Sequence, residues 1–280
     1  DIIQAARIKY SDSSPKLRDM ILANTDFMGT VATTVAPVVN FTLGLKPTKA
    51  VMDAVLKVDK HRTFPKYASK TFEKWYKKNV AAFQNSFPRH VSMFHGCYVN
   101  YNYPQLGKDL VSVMNALGYG VHLLENEKCC GTALISNGMI DQAKRNAANN
   151  IESMRKSVYE RQMPVISTSS SCTFTMRDEY PHLLGVKNED VRDYIELATR
   201  FIYKLIDQDK VKLVFKKGYK AKVAYHTPCH MERLGWGIFS TELIKMIPGV
   251  ELTVLDSNCC GIAGTYGFKK ENYEVSQAIG

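Results

Sequence analysis

From about His90 onward, apolar residues come in short continuous runs of strand length, each followed by a longer stretch in which they recur at helical spacing. "HVSMFHGCYVN" reads as a buried strand running into a loop, and "PQLGKDLVSVMNALG" as a helix with Pro104 at its start and Gly118 at its stop. "YGVHLLEN" is the next strand, "DQAKRNAANNIESMRKSVYE" the next helix, and "MPVISTSSSC" a third strand. Strands and helices alternating at this spacing predict a largely parallel sheet. The order then returns over 223–261: "KVAYHTPC" is a strand, "STELIKMIPG" a helix stopped by Gly249, and "VELTVLDSNCCG" a strand ending in a loop. The predicted fold class is therefore α/β, with two pseudo-repeated cysteine-rich units at 90–220 and 221–280. "NYEVSQAIG" reads as the middle of a helix, so the second unit is expected to be truncated.

Residues 1–89 have a different rhythm and predict a helical segment ahead of the units. "DIIQAARIKY", "KLRDMILANTDFMG" and "PTKAVMDAVLKVDKHR" all carry apolar residues at helical spacing. Between Phe27 and Leu45 lie nineteen residues without a charge, the minimum length for a membrane span. Four Thr, Asn40, Pro37 and two Gly dilute that stretch, so an interfacial or protein-packed segment is expected in place of a transmembrane helix.

Charge sharpens this division. Of the net +10, residues 1–90 carry +8, from 15 Lys or Arg against 7 Asp or Glu. Lys46–Lys78 holds ten basic and three acidic residues, interleaved with Phe64, Tyr67, Phe72, Trp75 and Tyr76. That mixture suits an anionic membrane surface, and equally a solvated helical linker. No recognised nucleic-acid module accompanies it, so no nucleic-acid partner is expected. The chain shows no secretory signal and begins at Asp1, so a true N-terminus is expected further upstream.

The seven cysteines are Cys97, Cys129, Cys130, Cys172, Cys229, Cys259 and Cys260, all beyond residue 90. An odd number, two adjacent pairs and a chain long enough for its own core argue against a disulfide scaffold and for thiolates in a reducing cytosol. Their order is duplicated: 31 residues separate Cys97 from Cys129, and 29 separate Cys229 from Cys259. Ordinary buried thiols predict no such repetition. Iron–sulfur clusters need several soft thiolates brought to one small volume, and one helix-length connection can bring the single cysteine against the pair. A glycine after each pair allows positive φ and turns amide N–H groups toward sulfur. Four candidate ligands fall in the first unit and three in the second.

This pattern resembles the cysteine-rich CCG family: one Cys, about thirty residues, Cys-Cys-Gly, then Cys-x-x-Cys, present twice. That family includes the B subunit of heterodisulfide reductase and the iron–sulfur subunits of glycolate, lactate and anaerobic glycerol-3-phosphate oxidation. "FHGCYVNYNYPQLGKDL", "AYHTPCHMERLGW" and "LDSNCCGIAGTYGFKKENY", with the lead "DIIQAARIKY", are most similar to the glycerol-3-phosphate members, essentially end to end. The resemblance implies an electron-carrying subunit, not catalytic alone, that binds 4Fe–4S clusters at the seven cysteines. It implies a flavin-containing glycerol-3-phosphate dehydrogenase catalytic subunit and a companion subunit as partners, menaquinone as acceptor, and a peripheral place on the cytoplasmic face of the inner membrane. A ferredoxin-like domain ahead of residue 1 and a final Cys-x-x-Cys are expected from the family and are not in this sequence. The first unit reads "SSSC", with Ser169 where the family often has the first cysteine, which argues against a five-cysteine double cluster. Four thiolates also satisfy zinc, so zinc at one unit stays open.

His95 and His226 precede Cys97 and Cys229 at matched positions. They read first as hydrogen-bonded strand-end histidines, with cluster tuning or proton transfer as the alternative. "GIAGTYGF" lacks the strand-and-acid context of a nucleotide loop. Tyr266, Phe268, Lys269 and Lys270 are expected to close over the second unit's cluster. Three functions remain: electron carrier, membrane-docking and assembly subunit with structural metal, and heterodisulfide-type redox subunit.

Overall fold

β1 (Arg89–Phe94) lies inside a four-stranded parallel sheet. β2 (Tyr119–Leu123) flanks it on one side and β3 (Val165–Ser167) on the other, and β4 (Ile195–Leu197) completes the order β2-β1-β3-β4. The register pairs Arg89 with Tyr119, Ser92 with Val165, and Val165 with Ile195. The structure is a computed structural model describing residues 16–216, 218–256 and 258–280. The helix expected over "DIIQAARIKY" lies outside the described residues.

Parallel strands need crossovers, and the sequence supplies helices at Pro104–Ala116 and Ile140–Arg155. They cover opposite faces of the sheet. Met93, Met114, Val121 and Ile166 pack together on one face, while Phe94, Ile151, Met154, Val165 and Ile195 pack on the other. Each such side chain, taken fully out of water, contributes about 1.5–3 kcal/mol. β4 escapes a pattern reading because its middle residue is Glu196. That carboxylate is buried but paired at 2.7 Å with both Arg200 and Lys204. The third expected strand is also shorter than its apolar run, because a helix already begins at Ser170.

The second sheet is β5 (Ala221–Tyr225) and β6 (Val250–Val254), parallel, with Ala221 opposite Val250 and a helix at Gly237–Lys245 between them. It meets the first unit through His230, whose ring stacks on Phe174 at 5.0 Å, and through Trp236, beneath the Arg200 guanidinium at 4.4 Å.

Ahead of the first sheet, helices run over Leu17–Ala23, Thr25–Thr34, Ala36–Gly44 and Lys46–Val51. No single helix among the described residues is long and apolar enough to cross a membrane; the uncharged stretch bends by 105° between Thr34 and Ala36. Gly29 seats the Thr25–Thr34 helix on Tyr101: a Cβ at that position would lie 2.4 Å from the tyrosine ring. The segment after Cys260 returns to this layer. Val58 pairs with Lys269, Lys269 binds Asp19 at 2.8 Å, Lys270 pairs with Asp53, and Arg18 grips Glu271 at 2.8 Å. The expectation that Tyr266–Lys270 closes over the second unit's cysteines is thus corrected: the segment is held by the N-terminal helices and closes on the first unit.

Candidate metal centre

In a parallel sheet the carboxyl ends of all strands lie at one edge, so the loops leaving β1, β2 and β3 meet there. Cys97 is in the first turn of the helix Gly96–Tyr101, which starts directly after β1 where a loop was expected. Cys129 and Cys130 follow β2. Gly131 then turns the chain at φ 95° into the helix Thr132–Ser136. Cys172 is in the short helix Ser170–Phe174 after β3. Cys129, Cys130 and Cys172 are buried and Cys97 is partly so. The four thiols are near neighbours in turn, close enough to shift one another's ionisation: Cys97 beside Cys129, Cys129 beside Cys130, and Cys130 beside Cys172.

The row is electrostatically uneven. Bonds from Cys130 and Cys97, the Thr25 hydroxyl and the Gly131 N–H hold the Cys129 thiol well below its usual range, against the opposing effect of burial. The Thr25 contact is 3.2 Å. Cys97 is pushed up by its bond to Cys129 and then by burial; Cys130 is pushed up by its bonds to Cys129 and Cys172 and then by burial. One thiolate is therefore favoured in the metal-free row, and a cation is needed to hold more.

The donor set fits an iron–sulfur core: four soft sulfurs at one buried edge, with an amide aimed at sulfur. Among the described residues no group of three or more Cys, His, Asp or Glu side chains is already gathered around one ion position. When bound, such a core supplies reversible one-electron transfer; this chain supplies the thiolates, the N–H donor and the exclusion of water.

The second unit repeats the arrangement with less cover. Cys229 opens the helix Cys229–Arg233, and Cys259 and Cys260 follow β6. Gly261, at φ 70°, donates its N–H to the Cys259 sulfur at 3.4 Å, as Gly131 does to Cys129. All three thiols are exposed, and Cys229 is raised by partial burial and by the nearby Cys259 and Cys260.

The paired histidines pin loops. His95 lies buried with Nδ1 3.2 Å from Glu127, and His226 Nε2 donates to the Asn258 carbonyl at 2.8 Å. Each ties a strand end to the loop that carries the adjacent cysteines. Ser169 caps its helix, accepting the Cys172 N–H at 3.2 Å. Ser169→Ala is therefore expected to cost about 1 kcal/mol in denaturant unfolding and to leave iron content unchanged; loss of iron would make Ser169 a ligand instead.

Sequence reasoning missed the polar groups that hold the site. Glu127 accepts the N–H groups of His95 at 3.0 Å and Gly96 at 2.7 Å, fixing the turn that presents Cys97. Asp26 accepts the Cys129 N–H at 2.7 Å from the Thr25–Thr34 helix. Asn150 grips Lys128 on both sides, at 2.9 and 3.0 Å. Burial lifts Glu127 to about 7 and Asp26 to about 6, the latter helped by Cys129. The repeat comparison hides Glu127 because the second unit has Ser257 at the matching place.

Residues 91–177 and 223–280 both match the cysteine-rich CCG domain. The chain belongs to the CCG family. Among its relatives, the C subunit of anaerobic glycerol-3-phosphate dehydrogenase from Escherichia coli K12 is 56% identical over 280 residues, 100% of this chain and 70% of that one. Lactate utilization protein A of Bacillus velezensis is 34% identical over 188 residues, 64% of this chain and 75% of that one. The D subunit of the dihydromethanophenazine:CoB–CoM heterodisulfide reductase of Methanosarcina mazei is 32% identical over 185 residues, 62% and 43% of the two chains. Both CCG matches contain a Cys-Cys-Gly turn with positive φ at its glycine, so the family's cysteine pattern coincides with the geometry described above.

Proposed function

We propose that this chain is the iron–sulfur electron-transfer subunit of an anaerobic glycerol-3-phosphate dehydrogenase, passing electrons from a flavin-bearing catalytic subunit to menaquinone. The observation that carries the reading is the row Cys97–Cys129–Cys130–Cys172, drawn from three loops at one sheet edge. Oxidation of the substrate's secondary alcohol to a ketone releases two electrons and two protons, and reduction of a quinone to a quinol takes up both. A carrier that moves electrons singly connects the two reactions. The two cysteine sites approach each other where Ser171, beside Cys172, lies 2.9 Å from Nδ1 of His230, beside Cys229. We assign 90–220 and 221–280 as the two units and all seven cysteines as cluster ligands, with 4Fe–4S as the cluster type.

Delivery to menaquinone places the chain at the cytoplasmic face of the membrane. Phe27 and Phe41 stand 68% and 69% exposed on the bent helix pair, beside Val31, Val35 and Val38, close in sequence to the basic Lys46–Lys78 stretch. This apolar face supports the docking reading as part of electron delivery, with cations and apolar residues engaging an anionic lipid surface together.

The test is reduction of the full-length complex with glycerol 3-phosphate under anaerobic conditions. The expected result is a paramagnetic signal in this subunit that disappears on adding a menaquinone analogue, together with iron and acid-labile sulfide in similar amounts. A complex that oxidises substrate while this subunit stays iron-free refutes the proposal.

A further inference from the structure

The thiol row stands between two spaces of opposite character. On one side a polar cleft of about 900 Å³ reaches Cys97 past His95, Glu127, Lys128 and Arg161. On the other, a cavity of about 590 Å³ ends on Cys97, Cys129, Cys130 and Cys172. Its inner end is the cysteine site described above, and the rest extends away from it along the N-terminal helices. Its walls are mainly apolar, among them Met28, Ala32, Val39, Leu43, Leu56 and Phe268, with Arg18, Asn102 and several hydroxyl side chains interspersed.

We propose that this cavity binds the ring end of an isoprenoid quinone, with the ring against the cysteine site and the tail leaving along the bent helix pair; the proposal rests on the electron-transfer reading above. Three observations carry it. First, most of the wall is apolar and offers water no substitute there, so the occupant carries a large apolar surface. The volume is in the range of small-molecule sites, about 300–1,000 Å³. Second, the walls continue onto the outer apolar face: Val31 lines the cavity and is itself half-exposed, one turn along the helix from Phe27. A ligand dissolved in the membrane thus reaches the cavity without crossing water. Third, among the hydroxyl donors of the lining, Tyr67 is suited to a ring carbonyl. Tyr67 lines the cavity near enough to Cys97 to interact with it electrostatically, and its hydroxyl has no hydrogen-bond partner among the described residues. Its backbone is fixed by Asn40, which bonds both the Tyr67 N–H and carbonyl at 2.8 Å. A lipid acyl chain would leave that hydroxyl unpaired; a quinone oxygen accepts from it.

The return of the C-terminal segment closes the remaining side. Phe268 packs at a tilt against Phe64 with ring centres 5.1 Å apart, Asn137 donates to Thr265 at 2.6 Å, and Gly264 lies against Ser136.

The experiment titrates a fluorescent alkyl-hydroxyquinoline N-oxide, a quinone-ring analogue, into the iron-loaded full-length complex and reads quenching. Tyr67→Phe removes one oxygen and is expected to weaken binding roughly three- to tenfold, the range of one hydrogen bond. Ala32→Phe fills the cavity and is expected to weaken it at least about tenfold by overpacking, with iron and sulfide contents unchanged in both variants. Wild-type binding by Tyr67→Phe and by iron-replete Ala32→Phe overturns the proposal. So does equal displacement of the probe by quinone-free phosphatidylglycerol vesicles, which would make the occupant an acyl chain. Reduction of the subunit's signal by glycerol 3-phosphate is followed in the same samples. A signal that forms while the variants bind normally sinks the cavity assignment alone, and a signal that never forms sinks the electron-carrier reading beneath it.

Discussion

Replacing Cys129 by serine is expected to remove the iron of the first cysteine site and to leave that of the second in place. Cys129 is the thiol already driven toward its charged form, with hydrogen bonds from Cys130, Cys97, Thr25 and Gly131 converging on it. A serine hydroxyl at that position ionises far less readily than a thiol and is a hard donor where the site offers soft ones. Changing an outer partner of a metal site typically costs 10–100-fold in affinity, and removal of the central thiolate is expected to cost at least about 100-fold. Iron and acid-labile sulfide should fall together, while the Cys229, Cys259 and Cys260 site, built on a separate sheet, keeps its share. Cys260→Ser is the counterpart, with the first site's iron retained. If Cys129→Ser keeps full iron and an unaltered signal, the row is not the cluster site.

The second large effect concerns pH and the metal-free protein. Glu127 is buried with its folded-state value near 7, above its ordinary 4.5, and burial is the main cause. Below about pH 4.5 it is protonated in both folded and unfolded chains and contributes no pH dependence. As pH rises, the unfolded chain ionises first while the folded chain keeps its proton. Stability therefore falls until about pH 7 and then levels off, by an amount on the order of 3 kcal/mol. Asp26 adds a loss of the same sign between its ordinary 3.8 and about 6. Urea unfolding of metal-free protein at about pH 5 and pH 7.5 should show this decline, and the double variant Asp26→Asn, Glu127→Gln should flatten it. The variant should also be weaker at the lower pH, because an amide offers a single acceptor oxygen to the two N–H groups that Glu127 now holds. A stability that rises from pH 5 to 7.5 in the unaltered protein would contradict the assignment.

These two results depend on different kinds of information. The candidate cysteines were legible as a list: the strand–Cys, helix, strand–Cys-Cys-Gly order occurs twice, and β1, β2, β5 and β6 fall where the apolar runs place them. Helix starts were less legible. Gly96–Tyr101 begins at once after β1 because the Glu127 carboxylate, from another loop, takes up the first free N–H groups, and no local pattern announces a distant acceptor. β4 was missed for a related reason, since Glu196 looks solvent-facing until Arg200 and Lys204 are seen to neutralise it.

Local periodicity and residue chemistry therefore established the alternating α/β order, the duplicated thiols, the two positive-φ glycines and the unusual apolar stretch at Phe27–Leu45. These are properties of neighbours in the chain, and they survive in a one-dimensional reading. Folding alone settled which sulfurs touch, which carboxylates are stripped of water and what the C-terminal segment covers. Phe268 belongs to the first cysteine site and not the second because Lys269, Lys270 and Glu271 find Asp19, Asp53 and Arg18 more than two hundred residues away. Burial and charge pairing are sums over everything nearby in space, and in this chain the decisive neighbours are far apart in sequence.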